Sequence, residues 1–194
     1  MSKIWNKANL ITFLGIVLSV IGIEMCFLQK QNIAIILLMS AGICDAFDGT
    51  FAKKVNKSKN ENNKYGIELD SLADVFSSGL FPVIICLSLG GNSIISMIIY
   101  ILFISCGITR LAYFNIENYK SEYFTGLPIT FSTIAIPFVY LTARNEIAFT
   151  SCLGILSLLF VVNTRIKKPG IYLKITLTIL AVISAIIITL KGIL

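Results

Sequence analysis

The chain has 194 residues, of which 56% are hydrophobic and only 13% are charged. A water-soluble domain of this size carries about 25% charged residues, so the composition, with a mean hydropathy of +0.87, argues against a soluble protein. The sequence has no histidine, which excludes mechanisms that need an imidazole base, nucleophile or metal ligand. The net charge of +6 arises from basic residues in short polar gaps between apolar runs. This arrangement suits an anionic lipid surface rather than nucleic acid.

The five cysteines lie singly within apolar stretches, at Cys26, Cys44, Cys86, Cys106 and Cys152. No two of them form a C-x-x-C pair that binds zinc or an iron–sulfur cluster. We therefore interpret them as packing residues.

Seven apolar stretches are long enough, or nearly long enough, to cross a bilayer as helices. They cover residues 9–28, 33–52, 67–89, 93–114, 127–142, 147–162 and 171–190. The fifth and sixth are short, and the seventh carries Lys174 near its start. The sequence thus predicts an all-α integral membrane protein with a bundle of about seven transmembrane helices. We expect one membrane-embedded domain over residues 1–194, with residues 1–7 forming a short interfacial segment.

Basic residues predict the orientation of this bundle. With a cytoplasmic N-terminus, 13 of the 16 Lys and Arg residues lie on the cytoplasmic side, leaving Lys30, Arg144 and Lys191 outside, as the positive-inside rule favours. Residues 9–28 also resemble a signal peptide, but no small-residue cleavage site follows them, so we favour a retained span.

Four carboxylates stand inside or at the edge of predicted spans, where an acid is costly and usually functional. Asp45, Asp48, Gly49 and Ala52 share one helical face, and so do Gly66, Asp70 and Asp74. We expect the two faces to meet near the cytoplasmic side, joined by a polar loop over residues 53–65. The alternative is that the acids pair with loop lysines and only set helix register. Glu68 points away from this face, so we interpret it as structural.

Four facing carboxylates cannot all remain ionised at a site of low dielectric constant unless cations join them. Oxygen ligands without His or Cys select Mg²⁺, Mn²⁺ or Ca²⁺. Two such ions bind a phosphate or pyrophosphate and stabilise both the attacking and the leaving oxygen. Lys53 and Lys54 would add positive charge beside the same phosphates.

These residues read Asp45-x2-Asp48-Gly49-x2-Ala52-Lys53-x12-Gly66-x3-Asp70-x3-Asp74, which resembles the motif of the CDP-alcohol phosphotransferase family. The resemblance implies two divalent metals, Mg²⁺ or Mn²⁺, and transfer of a phosphatidyl group from a CDP-linked lipid to an alcohol with release of CMP. It also implies a homodimer, although small residues of the first span such as Gly15, Ser19 and Gly22 would pack helices equally well within one chain or between two.

The resemblance also assigns roles to the motif positions. It implies that Asp45, Asp48, Asp70 and Asp74 are metal ligands and that Asp74 is the general base. Nucleotide or phosphate contacts fall to Asn9, Thr12, Asp48, Gly49, Ala52, Lys53 and Gly66. The family usually has Arg where Lys53 stands and a shorter gap before Gly66. We expect the added polar residues to protrude into water, while helix capping remains an alternative role for Asn9.

Three further segments resemble the phosphatidylserine synthase branch of this family: Gly66-Ile-Glu-Leu-Asp-Ser-Leu-Ala-Asp74, Ile108-Thr-Arg-Leu-Ala-Tyr-Phe-Asn115 and Gly126-Leu-Pro128. The resemblance covers about residues 9–168 and implies CDP-diacylglycerol and L-serine as substrates at a cell membrane, with the site facing the cytoplasm. Arg110 would bind the serine carboxylate, or else act as a topology-setting arginine at the membrane interface.

Other functions remain open on the sequence alone. A sibling enzyme would use glycerol phosphate or inositol phosphate as acceptor, or an archaeal ether lipid as donor. A cation-coupled transporter also carries intramembrane acids, but its site usually lies at mid-membrane within an inverted repeat. This chain shows neither a repeat nor a central acid cluster. The histidine-dependent, phospholipase D-like type of phosphatidylserine synthase is excluded by composition.

Overall fold

The computed structural model describes residues 7–59, 64–118, 123–167 and 170–193. Its first two helices, α1 (Lys7–Phe27) and α2 (Gln31–Lys59), form a hairpin joined by three residues, with Gln29 at a φ of 58°. The helices pack along each other, and Gly15 on α1 lies against Cys44 on α2. The predicted interfacial segment falls largely in residues 1–6, outside the described residues.

Helix α2 continues beyond the predicted span, to Lys59. The predicted polar loop over residues 53–65 is therefore wrong over much of its length, because the next helix already begins at Lys64. No Gly or Pro interrupts the sequence between Phe51 and Lys59, and Ala and Lys are good helix formers, so nothing local stops the helix at the membrane edge. Residues 60–63 lie outside the described residues.

The third predicted span is one helix with a wider turn in its middle. It consists of α3 (Lys64–Asp74), a π-helical segment (Val75–Leu80) and α4 (Phe81–Ser88). Pro82 has no N–H to donate to the carbonyl of Ser78, four residues earlier. The hydroxyl of Ser132 donates to that carbonyl instead, at 2.6 Å. Pro82 thus opens the helix just beyond Asp74, and a buried serine from another helix compensates.

The remaining helices are α5 (Ile94–Tyr113), α6 (Ser132–Thr142), α7 (Glu146–Val161) and α8 (Ile171–Ile193). A second π-helical segment (Phe114–Asn118) extends α5, and a 3₁₀ turn (Ile129–Phe131) precedes α6. Side-chain caps begin two of these helices: the amide of Ser96 donates to Ser93 Oγ at 3.1 Å, and that of Ala148 to Asn145 Oδ1 at 2.8 Å. These caps satisfy amides that the first helical turn leaves without partners.

A short antiparallel ribbon joins β1 (Tyr123–Thr125) to β2 (Arg165–Lys167), with Tyr123 opposite Lys167. The sequence did not predict it, because three residues are too few for an alternating pattern to be recognised. Gly126 follows β1 with a φ of 73°, and a Cβ there would lie 2.2 Å from the carbonyl oxygen of Phe160. Glycine is therefore required where β1 passes the end of α7.

Large aromatic side chains fill the centre of the bundle. Phe81, Phe103, Phe149 and Phe160 are fully buried, and the rings of Phe103 and Phe160 lie 5.4 Å apart between α5 and α7. Gly22 on α1 lets α4 approach, because a Cβ there would lie 2.2 Å from Phe81 Cζ. Gly15 and Gly22 thus pack helices within one chain.

Five helical stretches within the described residues are long and apolar enough to cross a membrane, and two shorter apolar helices accompany them. The shorter pair, within Ile129–Thr142 and Glu146–Val161, corresponds to the two short stretches of the sequence prediction. The predicted all-α integral membrane fold is confirmed, with the small ribbon as an addition. Helix α8 is largely exposed along its length and contacts α2 and α6.

Candidate active site

The four motif acids converge between the middle of α2, which carries Asp45 and Asp48, and the second half of α3, which carries Asp70 and Asp74. One carboxylate oxygen from each of Asp45, Asp48 and Asp70 lies within 4.8 Å of the other two. Asp48 is 4% exposed, whereas Asp45 and Asp70 are half-buried. Helical periodicity places Asp45 and Asp48 on one face of α2, and α2 packs against α1 and α8.

Asp74 completes the cluster one helical turn after Asp70. Its side chain is in hydrogen-bond contact with Asp45, and it is 8% exposed. The four acids line one small cavity, about 10 Å³ in volume, whose remaining walls are mostly small side chains, including Gly15, Ala41, Ala73 and Ser77. Because these side chains are small, the carboxylates themselves form much of the cavity wall.

Helix α1 supplies the polar partner of Asp48. Thr12 donates a hydrogen bond of 2.7 Å from Oγ1 to Asp48 Oδ2, and it also lines the cavity. Asn9 lies one turn earlier on the same helix and is 3% exposed. Both polar residues of the predicted nucleotide region are thus buried at the end of the bundle that carries the acids.

Arg110 approaches the acids from the last turn of α5. It is 6% exposed, interacts electrostatically with Asp74 and Asp45, and its guanidinium lies 5.3 Å from the centre of the Phe114 ring. An arginine that only sets topology at the membrane interface would extend toward water. Arg110 instead faces inward, toward the carboxylates.

Lys174 is a second cation at the site, and its role there was not predicted from the sequence. From the first turn of α8, its Nζ donates a hydrogen bond to the backbone carbonyl of Ala46, and it interacts electrostatically with Asp45 and Asp70. The sequence signal that could have indicated this role is a charged residue inside an otherwise apolar span.

For the remaining predicted nucleotide-binding residues, the structure gives the helix but little about the side chains. Gly49, Ala52 and Lys53 belong to α2, but their side chains are outside the described part of the structure. Gly66 lies in the first turn of α3, half-buried. Their approach to a ligand remains a prediction.

A polar contact that sequence reasoning did not assign joins α3 to the extension of α5. Asn115 Nδ2 donates to Ser71 Oγ at 2.9 Å, next to Asp70 in the sequence. Asn115 ends one of the segments quoted above, yet its partner is 44 residues away. This contact ties α3 to the helix that carries Arg110.

The donor set suits a hard divalent cation. Among the described residues, Asp70 Oδ1 is buried and has no hydrogen-bond partner, although a carboxylate oxygen removed from water needs a cation or a donor. Clustered carboxylate oxygens without His or thiolate are the ligands that Mg²⁺ and Mn²⁺ prefer. The residues present therefore fit a metal centre that binds phosphate oxygens.

Comparison with known proteins agrees with this chemistry. The sequence model of the CDP-alcohol phosphatidyltransferase family matches residues 5–163. An archaetidylserine synthase of Methanothermobacter thermautotrophicus is 34% identical over 67% of this chain and 52% of its own length. This chain thus spans about half of that relative.

Two further relatives are each named CDP-diacylglycerol–serine O-phosphatidyltransferase. The protein from Helicobacter pylori is 31% identical over 91% of this chain and 79% of its own length. The protein from Bacillus subtilis is 27% identical over 82% of this chain and 88% of its own length.

Proposed function

The chain belongs to the CDP-alcohol phosphatidyltransferase family, and from this membership we propose that it is a phosphatidylserine synthase. It transfers the phosphatidyl group of CDP-diacylglycerol to the hydroxyl of L-serine and releases CMP. The observation that carries the proposal is the convergence of Asp45, Asp48 and Asp70 within 4.8 Å, with Arg110 facing the same cluster. The names of the relatives from Helicobacter pylori and Bacillus subtilis support serine as the acceptor.

Asp45, Asp48, Asp70 and Asp74 would hold two divalent cations, Mg²⁺ or Mn²⁺. When bound, these ions neutralise the pyrophosphate and stabilise charge on the attacking and leaving oxygens. The orphaned oxygen of Asp70 and the absence of histidine from the sequence support an all-oxygen ligand set. Thr12 donates to one oxygen of Asp48 and so restrains this carboxylate at the cavity that both residues line.

Asp74 acts as the general base. It accepts the proton of the serine hydroxyl, whose oxygen then attacks the lipid-side phosphorus of the donor. The new P–O bond joins serine to the phosphatidyl group, while the bond to the CMP phosphate breaks and CMP departs with that bonding pair. Burial of Asp74 among the other acids supports this role, because water is largely excluded around it.

The donor's nucleotide and phosphates would lie along α1, α2 and α3. Asn9 and Thr12 line this region from α1. Asp48, Gly49, Ala52 and Lys53 follow along α2, and Gly66 stands at the start of α3. The burial of Asn9 and Thr12 at the end of the bundle that carries the acids supports this path, as does the position of Thr12 on the wall of the same cavity.

Arg110 binds the serine carboxylate. Its guanidinium offers a planar pair of donors that match a carboxylate, and Phe114 supports the guanidinium face. Its proximity to Asp74 would place the serine hydroxyl beside the general base.

We place the site at the cytoplasmic face of the cell membrane, within a single membrane-embedded domain over residues 1–194. The positive-inside distribution of Lys and Arg supports this orientation, and it gives water-soluble serine direct access. Labelling of single introduced cysteines, in a variant whose five native cysteines are replaced, tests it. A cysteine at position 30 should react from outside the cell, and one at position 68 only after permeabilisation.

We also propose that the protein works as a homodimer, as the family resemblance implies. Exposed apolar side chains cover α5 and α7, among them Ile98, Leu102, Ile155 and Leu158, and either lipid or a second copy would cover them. Mass measurement of the protein in nanodiscs should give two chains per particle, and a single chain would contradict the dimer.

The deciding experiment supplies purified protein in detergent with CDP-diacylglycerol, Mg²⁺ or Mn²⁺, and serine, glycerol phosphate or inositol phosphate in turn. We expect CMP release with serine, abolished in Asp70→Asn and Asp74→Asn. Glu68→Gln is the matched control, because this acid is exposed on the same helix and should retain activity. Release driven only by another acceptor would overturn the serine assignment, and no release with any acceptor would favour a cation-coupled transporter.

The archaetidylserine synthase relative raises a second candidate, which differs in the lipid donor and not in the acceptor. An ether-linked CDP-archaeol supplied beside the ester-linked donor distinguishes the two. A preference for the ether lipid of more than about tenfold in kcat/KM would assign the archaeal activity.

A further inference from the structure

Lys174 is the only charged residue within Ile171–Leu190. It lies in the first turn of α8 and is half-buried. A charge inside an apolar span is costly and is retained where it has a partner or a function. The family match ends at residue 163, so Lys174 belongs to a helix outside the matched region.

Two sets of contacts connect Lys174 to the acid cluster. Its ammonium donates to the carbonyl of Ala46, which follows Asp45 directly and lies two residues before Asp48. The same ammonium interacts electrostatically with Asp45 and Asp70. Lys174 therefore joins α8 to the ligand-bearing part of α2 and directs a positive charge at acids from both motif helices.

We propose that Lys174 is a positioning residue that holds α8 against the ligand-bearing part of α2 and sets the affinity of the acid cluster for divalent cations. The inference deepens the proposed function and rests on its metal site. Lys174 offsets part of the mutual repulsion of the four carboxylates when no cation is bound. When a cation binds, the same fixed charge opposes it.

Coulomb's law gives the direction in which Lys174 changes the affinity for a divalent cation. A unit positive charge a few ångströms from a divalent cation raises the electrostatic energy of the bound ion, at a partly buried site by more than in water. Removal of this charge should therefore tighten cation binding. A lysine that only packs α8 against α2 would, when replaced, lower stability without tightening the binding of any ion.

The test measures Mn²⁺ binding to the full chain in detergent, without substrates, from the electron paramagnetic resonance signal of free Mn²⁺. Lys174→Met should lower the dissociation constant by on the order of tenfold. Lys174→Arg keeps the charge and should stay within about twofold of the parent protein. Lys30→Met is the matched control, since Lys30 is exposed in the α1–α2 turn, and it should leave binding unchanged.

Lys174→Gln separates the hydrogen bond from the charge and guards against a folding failure of the methionine variant. Its amide keeps a donor for the Ala46 carbonyl but carries no charge, so this variant should tighten Mn²⁺ binding as Lys174→Met does. Unchanged or weaker binding in a folded, uncharged variant would overturn the inference, as would equal tightening in Lys174→Arg. A parent protein that binds no Mn²⁺ would instead overturn the metal site of the proposed function itself.

Discussion

Thr12 and Asp48 are joined by a hydrogen bond of 2.7 Å although 36 residues separate them in the chain. The bond links the first helix of the bundle to the part of the second helix that carries Asp45 and Asp48. Both residues are nearly buried, at 8% and 4% exposure, so neither exchanges this partner readily for water. A hydroxyl from outside the acid motif thus restrains the orientation of Asp48, a carboxylate of the proposed metal site.

Replacement of Thr12 by Val removes the hydroxyl and keeps the shape of the side chain. We expect the cation concentration for half-maximal CMP release to rise several-fold, because Asp48 loses the donor that orients it. Loss of a partner for a buried polar group costs about 1–3 kcal/mol, so the thermal midpoint should also fall. Thr12→Ser retains the hydroxyl and should match the parent protein in cation requirement and thermal midpoint. If Thr12→Val also matched the parent protein in both, the hydrogen bond would have no role.

Replacement of Arg110 by Ala should raise the KM for serine by about 10- to 100-fold, with a much smaller change in the KM for the lipid donor. Arg110→Lys keeps the charge but loses the paired donors, and we expect an intermediate KM. Arg144→Ala is the matched control: its guanidinium also lies on an aromatic ring, 4.5 Å from the centre of Tyr140, but Arg144 does not line the cavity of the acids. A donor KM that rises as much as the serine KM would contradict the assigned role.

Removal of divalent cations should lower the thermal stability of the protein. A cation that binds only the folded state stabilises it by about 2.7 kcal/mol at a concentration 100 times its dissociation constant. We expect Mn²⁺ added after chelation to raise the melting temperature of the parent protein and of Glu68→Gln. Asp70→Asn should show little of this rise, and a full rise in that variant would exclude Asp70 as a ligand.

Gly22→Ala tests the packing that brings α4 against α1. The new Cβ would lie 2.2 Å from Phe81 Cζ, and Phe81 is fully buried, so we expect destabilisation by about 1–3 kcal/mol from overpacking. Gly154→Ala is the control, because the nearest atom to its new Cβ is 3.7 Å away. In the double variant Gly22→Ala with Phe81→Leu, the smaller side chain at position 81 makes room for the new Cβ, so part of the lost stability should return. If the two substitutions instead lower the free energy of unfolding additively, the contact between positions 22 and 81 is refuted.

The membrane class and the acid faces could be predicted from the sequence, because both depend on local properties. Hydropathy over about 20 residues identifies a span, and the 3.6-residue period places Asp45 and Asp48 on one face, as it does Asp70 and Asp74. The same local reasoning gave the wrong end for α2, since it assumed that a helix stops where apolar residues stop.

Only the tertiary structure decided what surrounds those acids. The contact of Lys174 with Ala46 spans 128 residues, and that of Ser132 with Ser78 spans 54, so no local pattern connects either pair. Each partner is selected by how the helices pack, which depends on small residues such as Gly22 meeting a particular side chain across the bundle. The amino-acid sequence by itself determined which carboxylates could share a site; the packing of α1, α5 and α8 determined the hydroxyl and the two cations that face them.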